Sequence, residues 1–357
     1  MRLNAISLFS GAGGLDIGIS KAGFDVKLAI EFDAKAAETL KQNSRDTIVL
    51  NKDIKDISGE EILNLTKLKR EEIDLVIGGP PCQSFSSAGK MRSLNDDRGN
   101  MIFEYLRIIR ELKPKTFLFE NVKQFSYIQI DKSKPKSSPK ERSKDSNLVI
   151  NMLMEEFRKI GYNVNNDIIN SADYGVPQKR ERTIILGTLK NKKINLPKKT
   201  HSNSDTSLPN WKTLGNAIKS VNDNEECMVY MYKRKKYLKL IPPGGHWKNL
   251  SPELQKEAMG EKLKLGGGKT GFFRKLSYDK PSPTLCTSPK QPGTDMCHPE
   301  ELRPLSVNEY AAIQEFPKNW KFSGTTIQKY KQIGNAVPVN LAFVVGKEIK
   351  SHLVNEI

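Results

Sequence analysis

The sequence predicts an α/β fold: an open, mostly parallel sheet with flanking helices, joined to a smaller domain of irregular structure. Short apolar runs alternate with helical patterns through the first half of the chain, as expected for strands buried between helix layers. Residues with chemical character closely follow the ends of those runs: Gly11, Glu31, Asp53, Cys82 and Glu120. From about Asn191 the alternation stops, and Pro, Gly, basic and aromatic residues interleave until about Arg303.

Taken in order, Ala5–Phe9, Val26–Ile30, Ile48–Leu50, Ile73–Ile77, Thr116–Phe119 and Thr183–Gly187 read as strands. Leu15–Ala22, Met101–Leu112 and Leu148–Ile160 carry helical spacing. Residues 131–147 (DKSKPKSSPKERSKDSN) form a charged, Ser- and Pro-rich insertion ahead of the third of these helices. The irregular segment is punctuated by Pro242-Pro243-Gly244-Gly245 and by Gly266-Gly267-Gly268. Ser306 and Glu309 then have capping-box spacing ahead of Tyr310–Phe316, and Val337–Ile349 reads as a helix returning to the first domain. The expected division is 1–190, 191–302 and a return segment 303–357.

The 357 residues carry a formal charge of +17. Residues 191–304 hold 18 Lys and 3 Arg against 11 acidic residues, a surplus of +10. Basicity concentrated in under a third of the chain fits a polyanion partner, although a Lys-rich soluble surface gives the same number. Four cysteines occur, Cys82, Cys227, Cys286 and Cys297, with no CxxC pair. That is poor material for a disulfide scaffold or a metal site, Cys297-His298 included, and it suits a reducing cytoplasm. No run approaches the roughly 18 apolar residues of a membrane span. The start lacks a leader layout, so a cytoplasmic protein is expected.

Phe9-Ser-Gly11-Ala-Gly13-Gly14 follows the first strand and opens a helix at Leu15. Glycines there let backbone N–H groups approach a ligand at a helix N-terminus. Glu31, 20 residues after Gly11, stands where an acid grips ribose hydroxyls. Asp53 follows the third strand, in position to accept from an adenine amino group. By spacing alone this indicates an adenosine-containing cofactor and leaves nicotinamide and adenosylmethionine both open. Gly78-Gly79-Pro80-Pro81-Cys82-Gln83-Ser84-Phe85-Ser86 makes a stiff loop that presents one thiol without the apolar wall of a packing cysteine. Cys82 therefore reads as a nucleophile. Taken singly, Glu120-Asn121 fits a helix cap equally well, and Arg180 with Arg182 fits a solvated basic patch.

Together these residues resemble the DNA (cytosine-5)-methyltransferase family of the bacterial restriction-modification type. The resemblance runs through FSGAGG (9–14), Glu31, Asp53, GGPPCQSFS (78–86), Glu120-Asn121-Val122, Gln178-Lys-Arg180-Glu-Arg182, Arg303 with Ile313-Gln314, and Gly334-Asn335-Ala336-Val337-Pro338. It implies a Rossmann-like S-adenosylmethionine-dependent methyltransferase domain with a smaller irregular target-recognition domain at 191–302. It further implies S-adenosyl-L-methionine, with S-adenosyl-L-homocysteine as product and no metal. Phe9, Gly11, Gly13, Gly14, Leu15, Glu31, Asp53, Pro80, Asn335 and Val337 are then cofactor residues.

The resemblance assigns Cys82 to attack carbon 6 of cytosine and Glu120 to cytosine N3. Arg180 and Arg182 go to the base carbonyl or a nearby phosphate, with Arg182 favoured for the carbonyl. A stacked cytosine cannot meet a thiol in a cleft, so the base must be flipped out of the duplex. Loop 84–101, with Lys90, Arg92 and Arg98, is expected to close over it. Gln83, Ser84, Ser86, Gln178, Arg234 and Arg274 are the remaining candidate DNA contacts. The expected partners are double-stranded DNA and, by family default, a cognate restriction endonuclease, with the enzyme acting as a nucleoid-associated monomer. Competing readings are a transfer-RNA cytosine-5 methyltransferase, a DNA-binding regulator on the same fold and, last, a nicotinamide dehydrogenase.

Overall fold

The computed structural model describes residues 3–81, 101–130, 145–222, 226–264 and 269–354. Unit 1 of the chain comprises Met1–Asn170, Glu181–Lys198 and Leu341–Ile357; unit 2 comprises Ser171–Arg180 and Lys199–Asn340.

In unit 1, β1 (Leu3–Leu8), β2 (Phe24–Ile30), β3 (Ile48–Leu50), β4 (Ile73–Gly78) and β5 (Thr116–Val122) are parallel neighbours in the order β3-β2-β1-β4-β5. All six residues of β4 are buried, as a central strand covered on both faces requires. The sheet continues through an antiparallel pair, giving the order β5-β8-β6 for β8 (Glu181–Thr188) and β6 (Asn163–Asn170). The order reverses between β1 and β4, and ligands of open α/β sheets bind at the carboxyl ends beside such a point.

The helices of unit 1 follow local chemistry. α1 (Gly14–Lys21) begins directly after the glycine-rich turn. α2 (Ala34–Asn43) is capped by the Asp33 carboxylate, which accepts from the backbone N–H groups of Lys35 and Ala36. α3 (Gly59–Thr66) is capped by Ser58. α4 (Met101–Leu112) buries Ile102, Tyr105, Leu106, Ile108, Ile109 and Leu112. α5 (Val149–Ile160) ends at Gly161, whose φ of 110° is the left-handed stop that glycine supplies cheaply. Tyr105 packs edge-on to Phe117, Phe119 and Phe157, and its hydroxyl donates to the Leu118 carbonyl at 3.0 Å.

Unit 2 is built from short pieces. β7 (Gln178–Lys179) pairs in parallel with β9 (Ser282–Pro283). The helices are α6 (Leu214–Ile218), α7 (Tyr232–Leu238), α8 (Pro252–Met259), α9 (Val307–Ile313) and α10 (Thr326–Asn335). A core of Tyr230, Tyr237, Leu238, Ile241, Trp247, Leu250, Met259, Phe273 and Cys297 holds the basic segment together. α9 carries the expected capping box: the Glu309 carboxylate accepts from the Ser306 N–H at 2.6 Å, and Ser306 Oγ accepts from the Glu309 N–H at 3.1 Å.

Residues 303–340 pack with unit 2, and the return to unit 1 begins at Leu341 within α11 (Val339–Val354). There Gly346 lies against Ala22 and Ile19. Near the end of α11, Lys190 Nζ donates to the carbonyl of His352 at 2.9 Å.

Candidate active site

Three left-handed residues within five positions shape the turn after β1: Phe9 at φ 55°, Gly11 at 57° and Gly13 at 89°. A left-handed Phe stores of order 1–3 kcal/mol of strain, which the surrounding fold must hold. Among the described residues, a Cβ built at Gly11 meets nothing within 4 Å. Its glycine is thus required by conformation and not by crowding from those residues. Glu31, at the end of β2, accepts from the Gly11 N–H and the Asp33 N–H, each at 2.7 Å. One carboxylate therefore fixes both the glycine turn and the start of α2. Asn51 donates to the carbonyls of Glu31 and Phe32 at 2.9 Å. Asp53 caps the turn 54–56, accepting from the Lys55 N–H at 3.1 Å.

Two further groups here escape a reading by residue type. Phe32, beside Glu31, leaves 74% of its surface exposed. A flat apolar ring next to a strand-end carboxylate suits the face of a heterocyclic base. Asp16 is buried in the first turn of α1 and accepts from Ser7 Oγ at 2.5 Å, while Ser10 Oγ donates to Ser7 Oγ at 2.8 Å. Among the described residues its buried Oδ2 has no hydrogen-bond partner. Burial pushes this carboxyl up to about 7; the Ser7 hydrogen bond opposes the shift and Glu31 adds to it. An open glycine turn, a strand-end carboxylate and an exposed ring fit an adenosine-bearing ligand.

At the ends of β4 and β5 the chain makes a second cluster. Glu120 is buried and pairs with Arg182 of β8, Oε1 to Nε at 2.9 Å. A second nitrogen of Arg182 donates to the Glu181 carbonyl at 2.8 Å. Burial makes this pair geometrically demanding, since either charge alone would be left desolvated. Gly79 is there because of Glu120: a Cβ at position 79 would lie 2.9 Å from Glu120 Oε2. The next residue, Asn121, donates through Nδ2 to the Pro80 carbonyl at 2.9 Å and accepts from the Val122 N–H at 2.9 Å. Cys82, Gln83, Ser84, Ser86, Lys90, Arg92 and Arg98 lie outside the described residues.

Other expected site residues lie in unit 2. Arg180 is 1% exposed and donates to the carbonyls of Leu285 at 3.2 Å and Gly334 at 3.0 Å. Gln178 donates to Gln314 Oε1 at 2.9 Å and accepts from the Leu285 N–H at 3.0 Å. Gln314 in turn donates to the carbonyls of Ile333 and Ala336 at 2.7 and 2.9 Å. This buried polar knot fixes the turn that carries exposed Asn335 and buried Val337. Gly334 admits no side chain, because a Cβ would meet the Cys286 carbonyl at 2.5 Å.

Arg234 is ion-paired to buried Asp295 and lies over the rings of Tyr230 and Phe273. Arg274 Nε donates to the Asp295 carbonyl at 2.9 Å. Cys227, Cys286 and Cys297 are free thiols, and burial pushes Cys297 up to about 12. Among the described residues no group of three or more His, Cys, Asp or Glu side chains is arranged to hold a metal. No helix among them is long and apolar enough to cross a membrane.

A family model described as C-5 cytosine-specific DNA methylase matches residues 3–351. The type II methyltransferase M.Sau96I of Staphylococcus aureus is 39% identical over 351 residues, 98% of this chain and 76% of that protein. M.Eco47II of Escherichia coli, also a type II methyltransferase, is 37% identical over 99% of this chain and 79% of its own length. The crystal structure of a prophage-encoded E. coli protein, assigned as a DNA modification methyltransferase, superposes with a TM-score of 0.66 at 26% identity, covering 99% of this chain and all of that one. The S. pombe Dnmt2 methyltransferase shares the fold, with a TM-score of 0.64 at 16% identity over 99% of this chain and all of its own.

Proposed function

The chain belongs to the C-5 cytosine-specific DNA methylase family, and we propose that it methylates cytosine within a specific duplex sequence through a transient bond between Cys82 and the base. It is a DNA (cytosine-5)-methyltransferase with a Rossmann-like catalytic fold. Like its relatives it depends on S-adenosylmethionine, which supplies the methyl sulfonium. Phe9, Gly11, Gly13, Gly14, Leu15, Glu31, Asp53, Pro80, Asn335 and Val337 are the residues proposed to hold it. Phe32 joins them as a platform for the adenine ring.

Carbon 5 of cytosine is a weak nucleophile. Addition of the Cys82 thiolate to carbon 6 breaks aromaticity and makes carbon 5 enamine-like, able to displace the sulfide from the methyl group. Glu120 faces N3 of the flipped base and supplies a hydrogen bond or proton as charge accumulates there. Arg182 faces the adjacent carbonyl and stabilises the same charge. Removal of the carbon-5 proton then returns the ring electrons, and the thiolate leaves. Arg180, occupied with two backbone carbonyls, acts by holding the turn at Gly334.

The observation that carries this reading is the buried Glu120–Arg182 pair at 2.9 Å, beside the backbone from which the Cys82 loop departs. Without a ligand each group satisfies the other; a cytosine ring offers each a better-matched partner. The enzyme works on chromosomal DNA in the cytoplasm, where a cognate endonuclease is the corresponding restriction partner. The test is to supply labelled S-adenosylmethionine and DNA, then map 5-methylcytosine at base resolution. Cys82→Ser should abolish incorporation while retaining DNA binding. Methylated transfer RNA beside untouched DNA would overturn the reading.

A further inference from the structure

We propose that Met231 and Tyr232, with the outward lysines of α7, form a surface of unit 2 that packs directly against the DNA duplex. The inference rests on the reading of the chain as a DNA methyltransferase and assigns part of its substrate contact. It starts from an anomaly of exposure. Val229, Met231 and Tyr232 leave 65%, 81% and 88% of their surfaces in solvent, whereas Tyr230 between them is 3% exposed. Single exposed apolar side chains are ordinary; three within four residues, two of them nearly bare, are not.

The mount beneath them is rigid. Tyr237 and Leu238 turn one face of α7 into the unit 2 core, and Tyr230 and Ile241, just before and after the helix, are buried in the same core. Arg234 reinforces the mount by pairing with Asp295, whose Oδ2 also accepts from the Phe273 N–H at 2.8 Å. The arginine that sequence reading singles out for DNA is thus an anchor, and its neighbours point outward. Tyr232, Lys233, Lys236 and Lys239 are exposed on the opposite face.

Charge selects the partner. Lys236 pairs with Glu257 at 2.9 Å, but Lys233, Lys235 and Lys239 form no ion pair among the described residues. Apolar tips set among a surplus of cations, with Glu257 facing both Lys236 and Lys233, match a polymer that offers phosphates and stacked rings together. The lysines release counterions from the backbone, while the Tyr232 ring and the flexible Met231 thioether cover base edges or wedge at a base step.

The experiment measures the dissociation constant of the full-length protein for a short duplex containing the mapped target site, with S-adenosylhomocysteine present, across a salt series. Met231→Ala combined with Tyr232→Ala should weaken binding at least about tenfold, leaving the salt slope and the affinity for S-adenosylhomocysteine at wild-type values. Lys233→Ala should weaken it less and lower the salt slope by about one. A loss of under threefold in the double variant, with its melting temperature unchanged, overturns the proposal and turns the search to a protein partner for this face. If the wild-type protein methylates no DNA, the parent reading fails instead; methylation by the wild type with unaltered binding by the double variant sinks this inference alone.

Discussion

Asn121 reaches from the end of β5 to the end of β4 and donates its side-chain amide to the Pro80 carbonyl at 2.9 Å. That carbonyl lies two residues before the proposed nucleophile, so one buried amide sets the backbone from which Cys82 is presented. Asn121→Asp removes the donor and places a carboxylate against a carbonyl oxygen. Leaving this buried acceptor unpaired should cost about 1–3 kcal/mol of stability. Single-turnover methyl transfer should fall by about tenfold or more, because misplacing a reacting group costs rate before it costs binding. Cofactor affinity should hold steady. A rate equal to wild type would deny Asn121 any part in presenting the thiol.

Removing Arg182 strands the Glu120 carboxylate in a buried site. Arg182→Ala should destabilise the fold by about 3–5 kcal/mol, while Glu120→Gln with Arg182→Ala should be milder than the sum of the two changes. Thermal or urea denaturation of the four proteins in the cycle measures the coupling. Strict additivity would mean that the two groups do not depend on each other.

Asp16 links stability to pH. Its carboxyl ionises near 3.8 in an unfolded chain and at about 7 in the fold. As pH rises through that window the unfolded state sheds a proton that the folded state keeps, so stability falls; above the window the loss is complete. Asp16→Asn keeps an acceptor for Ser7 and abolishes the penalty. Its advantage over wild type should grow between about pH 4 and 7 and level off at up to about 4 kcal/mol. Urea midpoints that differ by the same amount at every pH would contradict this.

Phe32 separates binding from folding. Because the ring is mostly exposed, Phe32→Ala should move stability by no more than about 0.5 kcal/mol. Loss of a stacking face should weaken S-adenosylmethionine about tenfold or more, since base–aromatic stacking contributes about 1–3 kcal/mol. Calorimetric titration of the cofactor decides it, with retained affinity counting against the platform.

Periodicity and motif spacing made the parallel half of the sheet readable. The apolar runs at Ala5–Phe9 and Ile73–Ile77 fall on β1 and β4 to within a residue or two. β6 was hidden, because NVNNDIIN is an edge strand whose Asn166 and Asp167 face water while Asn163 and Asn165 bond backbone carbonyls, which leaves no apolar run. α2 and α3 are short, and their caps, Asp33 and Ser58, are residues that punctuate loops just as often. Within the site, Glu31 and Glu120 were legible because strand ends collect function. Asn121 stands in the motif without its partner Pro80, and Phe32 goes unmarked, since a buried amide donor and an exposed ring are distinguished only by where they point. Arg234 and Arg274 teach the same lesson in reverse: a cation in a basic segment is equally suited to holding its own domain together.

The chain crosses between its two units at residues 170/171, 180/181, 198/199 and 340/341. Neither unit is therefore one contiguous stretch of the gene. A chimera that transplants only residues 191–302, the segment proposed to recognise the target, would bring a donor segment onto a host's own Gln178 and Arg180, whose side chains hold the Leu285 backbone inside that segment. Donor grafts that also carry Ser171–Arg180 and run through Asn340 keep those partners together, and they should yield soluble hybrids where the shorter exchange does not.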